Sequence, residues 1–128
     1  MNTVQDNQES RKVKNMDRIS FKDFLQIMSY DVVKNQTCIE IEFCVDNCVD
    51  YQASWMGKAV DRETKDAVFW FGLTEDGLQA YEFCSFVEFA NSHVFHSKSI
   101  KEIWDAVSIL SIDACKTQER LPFYIEAS

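Results

Sequence analysis

Cys38-Ile39-Glu40-Ile41-Glu42-Phe43-Cys44-Val45 decides the fold class. Ile39, Ile41, Phe43 and Val45 fall on one side of an extended chain. Cys38, Glu40, Glu42 and Cys44 fall on the other, the period-two signature of a strand with one face in the core and one in water. Asp46-Asn47 then supplies a turn, and Tyr51 to Val60 reads as a second strand in which Tyr51, Ala53 and Trp55 alternate with Gln52 and Ser54. Asp61 to Asp66 is polar and turns the chain again. Ala67 to Leu73 is apolar on both sides, so it is expected as the central and most buried strand. Thr74-Glu75-Asp76-Gly77 closes a hairpin, because Gly77 tolerates the positive φ such a loop needs. Leu78 to Phe83 returns. Residues 37–83 therefore predict a four-stranded antiparallel meander.

Helix signals flank this block. Ser20 with Asp23 starts a helix whose apolar stripe is Phe21, Phe24, Leu25 and Met28, with Ile27 beside it, ending near Tyr30. Ser85-Phe86-Val87-Glu88 and Ser99-Ile100-Lys101-Glu102 both match the Ser-x-x-Glu capping box, predicting helices to about Asn91 and Ala106. His93 to His96 is extended. Ile109 to Ile112 and Phe123 to Ile125 read as late edge strands, the second because Pro122 lacks a ladder donor. The expected fold is α+β: one antiparallel sheet of four to six strands with about three helices mainly on one face. Residues 1–18 hold only Val4, Val13 and Met16 as sizeable apolar groups and are expected to form a flexible arm before a single domain over 19–128.

Composition narrows the class. Ten Phe, four Tyr and three Trp with 46% hydrophobic residues describe a folded globular chain. No apolar run approaches the roughly 20 residues that span a bilayer, and the first ten residues lack the apolar core of a signal peptide, so a cytoplasmic protein without membrane contact is expected. Five cysteines, an odd number, argue against a secreted disulfide framework and for reduced thiols packed as small hydrophobes. Net charge is −8; residues 1–18 carry +1, so the remainder carries −9. A body of that sign repels nucleic-acid phosphate and attracts a basic surface on another protein.

Chemistry-bearing constellations are sparse. Cys44-x3-Cys48 with His93-x2-His96 has the composition of a Cys2His2 zinc site, yet the histidine spacing departs from the usual one and the glycines that shape such knuckles are absent. No metal or cofactor is therefore assigned, with those four residues as the alternative. Cys84 lies near both histidines in sequence, the pairing a cysteine nucleophile requires. Glu40 and Glu42 share a strand face with Asp46 and Asp50 beyond, and Asp61, Glu63 and Asp66 sit in a turn. On a wet face these carboxylates stay ionised and suit an acidic docking surface better than acid–base catalysis.

The leading expectation is a non-catalytic acidic protein-binding module. By analogy of general character it suits an inhibitor, immunity or antagonist protein acting on a basic, nucleic-acid-handling partner. A small-ligand-binding domain built on the aromatic sheet, with Trp55, Trp70 and Tyr81 among its rings, is the alternative. A homodimer and an enzyme of another type stay open.

Overall fold

A computed structural model of the protein describes residues 17–125. Among them lie five strands, β1 (Ile39–Val45), β2 (Ser54–Val60), β3 (Ala67–Gly72), β4 (Ala80–Phe83) and β5 (Val107–Ile112). Three α-helices accompany them, α1 (Phe21–Met28), α2 (Phe86–Asn91) and α3 (Thr117–Tyr124). The strands form one antiparallel sheet in the order β4-β3-β2-β1-β5. The meander predicted over 37–83 is present, extended by β5 on the free side of β1. No helix among the described residues is long and apolar enough to cross a membrane.

The alternation of β1 sets the two faces. Ile39, Ile41 and Phe43 are fully buried and stand opposite Lys58, Met56 and Ser54 of β2. Those pair with Phe69 and Phe71 of β3, and these in turn with Phe83 and Tyr81 of β4. On the other flank Ile41 faces Ile112, and Phe43 faces Ile109 across a bulge. The helical layer covers this inner face. Phe71 and Phe89 stack at 4.1 Å, Phe24 and Trp104 lie 4.4 Å apart, and Phe69 meets Phe86 edge-on at 5.9 Å. Such ring pairs dominate the burial that holds sheet and helices together.

Among the described residues Lys58, 8% exposed, is the one buried charged side chain, and it lies on the inner face. Its Nζ donates to the carbonyls of Met28 (2.9 Å) and Tyr30 (2.8 Å) and lies 5.0 Å from the Phe69 ring. A β2 lysine thus caps the end of α1, satisfying carbonyls that a helix terminus leaves free. Burial pushes its pKa down, while Asp31 nearby opposes that.

Several expectations need correction. β3 is not the central strand: β2 is, and β1 is buried more completely, because Val68 and Trp70 face the helix-free side and remain half-buried. The 51–60 strand starts only at Ser54, after a single 3₁₀ turn at Val49–Tyr51. That turn breaks the expected alternation, so Ser54 points inward, donating to the Leu73 carbonyl at 2.7 Å, and Trp55 points outward. In α1, Ile27 is in the core and Leu25 is exposed.

The Ser99 capping box forms in full. Ser99 N donates to Glu102 Oε1 at 2.8 Å, and Glu102 N donates to Ser99 Oγ at 3.2 Å. No α-helix follows. The chain makes a turn and one 3₁₀ turn at Trp104–Ala106, because Ala106 already accepts from Asp46 N and Val107 must extend to pair with Val45.

Of the strand predicted at 123–125, Phe123 and Tyr124 are instead the end of α3, and Ile125 is its extended C-cap. Asp17 exchanges backbone hydrogen bonds with Ile109, occupying the β5 edge at that point. Pro122 sits inside α3, where its missing donor affects only the exposed Gln118 carbonyl. Asp113 anchors this helix: its Oδ2 accepts from Arg120 Nε at 2.9 Å and from the Tyr124 hydroxyl, and its Oδ1 accepts from Glu40 N. The flexible arm expected over 1–18 lies outside the described residues as far as Met16, whereas Asp17 and Arg18 are bonded to the body.

Cysteine placement also differs. None of the five cysteines is in a disulfide, and only Cys44 is buried; Cys38, Cys84 and Cys115 are exposed, because each falls at a strand end or in a turn.

The two faces of β3 make a direct comparison. Phe71→Ala, which empties the Phe89 stack, should cost about 3–5 kcal/mol, and Trp70→Ala about 1–2 kcal/mol, read from urea midpoints at unchanged slope. Equal losses would remove the assignment of inner and outer faces.

Tyr124 gives a pH signature. Burial, then the hydrogen bond and charge of Asp113, push its phenol above the ordinary value of 10.0. The unfolded chain therefore releases this proton first as pH rises through 10, and stability falls there. Tyr124→Phe should lower stability by about 1 kcal/mol at neutral pH and flatten the alkaline fall. An alkaline limb of unchanged steepness in the variant would count against this anchor.

Candidate functional site

The outer sheet face gathers what the alternation puts there. β-pairing sets Glu40, Gly57, Trp70 and Glu82 in one row across β1 to β4, and Glu42, Trp55, Gly72 and Ala80 in the next. None of the described helices packs on this side; the ring contacts of α1 and α2 are all with the inner layer. Trp55 is 38% exposed and Trp70 half-buried.

The Trp70 indole lies flat over its neighbour. A Cβ at Gly57 would collide with the Ile39 carbonyl oxygen and come within 2.8 Å of the Trp70 ring, so glycine is required here for close packing, not for a turn. The face is therefore two indoles bordered by three carboxylates, Glu40 and Glu82 exposed and Glu42 half-buried.

The other carboxylates singled out by sequence do not join this patch as one surface. Asp46 closes β1 and is already engaged: it pairs with Arg18 and accepts from Ser108 Oγ at 2.9 Å. Asp50 lies in the β1–β2 connection beside His96, its Oδ2 3.0 Å from Nε2. Asp61, Glu63 and Asp66 occupy the β2–β3 turn. There Asp61 Oδ1 accepts from the amides of Thr64 (2.9 Å) and Glu63 (2.8 Å), bonds that hold its carboxyl below the usual range. An open cleft of about 580 Å³ runs from this turn to Glu82 and Cys84, lined also by Val68. The turn thus adjoins the β4 border of the outer face.

Sequence reasoning missed Glu82. Its signal was the alternation of Tyr81 and Phe83 inward in the short β4, which sends the residue between them outward.

The Cys2His2 alternative does not assemble. Cys44 is buried within β1, and His93 pairs with Glu102 at 3.6 Å. The other half of that set does meet: Cys48, Asp50 and His96 bring one ligand atom each to within 4.8 Å of one another. Cys84 lines the 61–66 cleft, and the ring neighbour of His96 is Tyr51 at 5.1 Å. The Cys38 thiol is shifted upward by burial and then by Glu40 and Asp113, the direction that keeps it protonated.

Carboxyl shifts run downward. A Thr74 hydroxyl lowers Asp76, and the Ser99 amide lowers Glu102. Each of these groups stays ionised through the physiological range, as a docking anion does and a general acid does not.

Compared with known proteins, the chain matches no family model, no curated protein and no solved structure.

Proposed function

We propose that the protein is a binding module that docks a basic surface of a partner protein on the outer face of its sheet. The observation that carries this reading is the row geometry of that face, which seats Trp55 and Trp70 among Glu40, Glu42 and Glu82. Arginine suits such a surface doubly. Its guanidinium forms charge-assisted bonds to carboxylates and stacks on indole faces.

Charge supports the same partner. The −9 body accelerates encounter with a positive surface, and the long-range attraction acts before any contact forms. It also weighs against a second copy of this chain on the same face, since three carboxylates would meet their own equivalents. Proteins that handle nucleic acid present the required positive surface, so antagonism or inhibition of such a partner is the activity this module would perform. Acid–base chemistry has less to support it, because the carboxylates with displaced pKa values are held toward the ionised form.

A defined probe tests the face. A peptide of alternating Arg and Val should quench the fluorescence of the outer indoles, with affinity falling steeply as salt rises, whereas its Glu-Val counterpart should leave it unchanged. Reversing Glu40 and Glu42 together to Lys should weaken binding at least about tenfold and flatten the salt slope, with the urea midpoint nearly unchanged because both side chains reach solvent. Unchanged affinity and slope in that variant would overturn the proposal.

A further inference from the structure

Cys48, Asp50 and His96 come from two loops, Asp50 and His96 being 46 residues apart in sequence. Their ligand atoms lie within 4.8 Å of one another. An ion pair between Asp50 and His96 accounts for two of the three and leaves the thiol unexplained. We infer that Cys48, Asp50 and His96 form a binding site for a thiophilic divalent cation of the zinc type.

The donor set selects the ion. One thiolate and one imidazole favour zinc or cobalt over magnesium and calcium, which prefer oxygen throughout. Charge balance agrees, since a thiolate and a carboxylate together neutralise a dication. Three protein donors leave one tetrahedral position for water or for a group brought by another molecule.

Both loops are fixed without the ion. Cys48 N donates to the Val45 carbonyl at 3.2 Å, and Tyr51 N donates to that of Cys48 at 3.2 Å. The Gln52 side chain donates to both the Cys48 (2.6 Å) and the Val45 (2.9 Å) carbonyls. On the other side Phe95 and Lys98 exchange both backbone hydrogen bonds, at 2.9 and 3.0 Å. The turn between them puts His96 at φ +51° and Ser97 at φ +73°, a left-handed conformation that is uncommon without glycine. Tyr51 clamps the loops together, its ring meeting Phe95 edge-on at 5.3 Å. Little ordering entropy then remains to oppose binding, which is what preorganisation contributes to affinity.

The surroundings add a favourable field. Asp50 also lines an open cleft of about 340 Å³ whose far wall carries Glu75 and Asp76. No lysine or arginine is among the residues that line this cleft.

Cobalt is the probe, because a thiolate–cobalt bond absorbs in the near ultraviolet. Titrating the reduced full-length chain with Co²⁺ should give a saturating one-to-one signal of that kind, displaced by Zn²⁺. C48S should abolish the band, and D50N and H96Q should each weaken binding at least about tenfold, as losing one of three ligands does. H93Q should bind as the unaltered protein does. His96 and Asp50 are exposed, so their metal-free variants should keep the parent's melting temperature, which separates lost ligation from misfolding. Absence of a charge-transfer band, its persistence in C48S, or equal losses in H93Q and H96Q would overturn the assignment.

Discussion

Register is the constraint on which the rest depends. β1 is paired along both edges, and every residue opposite Ile39, Ile41 or Phe43 is obliged to share their side. The choice propagates through β2 to β3 and β4, so one alternating strand assigns the faces of all five. Burial then makes the choice costly to change. A slip of one residue would drive Glu40 and Glu42 into the phenylalanine layer and carry Ile41 and Phe43 into water. The same constraint that builds the core therefore places the carboxylates and the indoles together on the opposite side. The candidate binding face is a consequence of the fold, not an addition to it.

Most of the fold was legible because its signals are local. Alternation in β1, the Gly77 hairpin and the Ser20 and Ser85 caps all report on contacts within a few residues, and each appears as read except at Cys44, which is buried although alternation puts it on the wet side; Gly77 sits at φ +76° and Ser20 Oγ accepts from Asp23 N. What failed was decided at a distance. The Ser99 capping box satisfies its local rule, but the pairing of Val107 with Val45 leaves no room for a helix behind it. Pro122 reads as an edge-strand residue until Asp113, held in the turn after β5, gathers Arg120 and Tyr124 one helical turn apart. Trp55 reversed its face because a 3₁₀ turn consumed residues that alternation alone would have counted as strand.

The site was less legible than the fold for a related reason. Acidic residues can be enumerated from sequence, but their partners cannot. Asp46 and Asp50 look equivalent to Glu40 and Glu42 in composition, yet Arg18 and His96 reach them from distant positions. Of the four residues that sequence offered as a Cys2His2 set, Cys48 and His96 do meet, with a carboxylate beside them, because Tyr51 and Phe95 pack their two loops against each other. Spacing within one segment carried no information about that meeting.

The way the acids are held ionised bears on how far their field reaches. Asp61, Asp76 and Glu102 are stabilised chiefly by amide and hydroxyl donors of their own loops. A dipole of this kind lowers a carboxyl pKa as effectively as a lysine does, but it brings no net charge. Its influence fades within a few ångströms, whereas the unit charge it stabilises is attenuated only over the Debye length, about 8 Å at physiological salt. An acid paired with a cation becomes nearly invisible at that range; an acid capped by amides does not. Turn chemistry that serves the loops thus also preserves a long-range negative potential. In the proposed function, approach to a basic partner would be governed by that potential, while contact would be left to the indoles of the outer face.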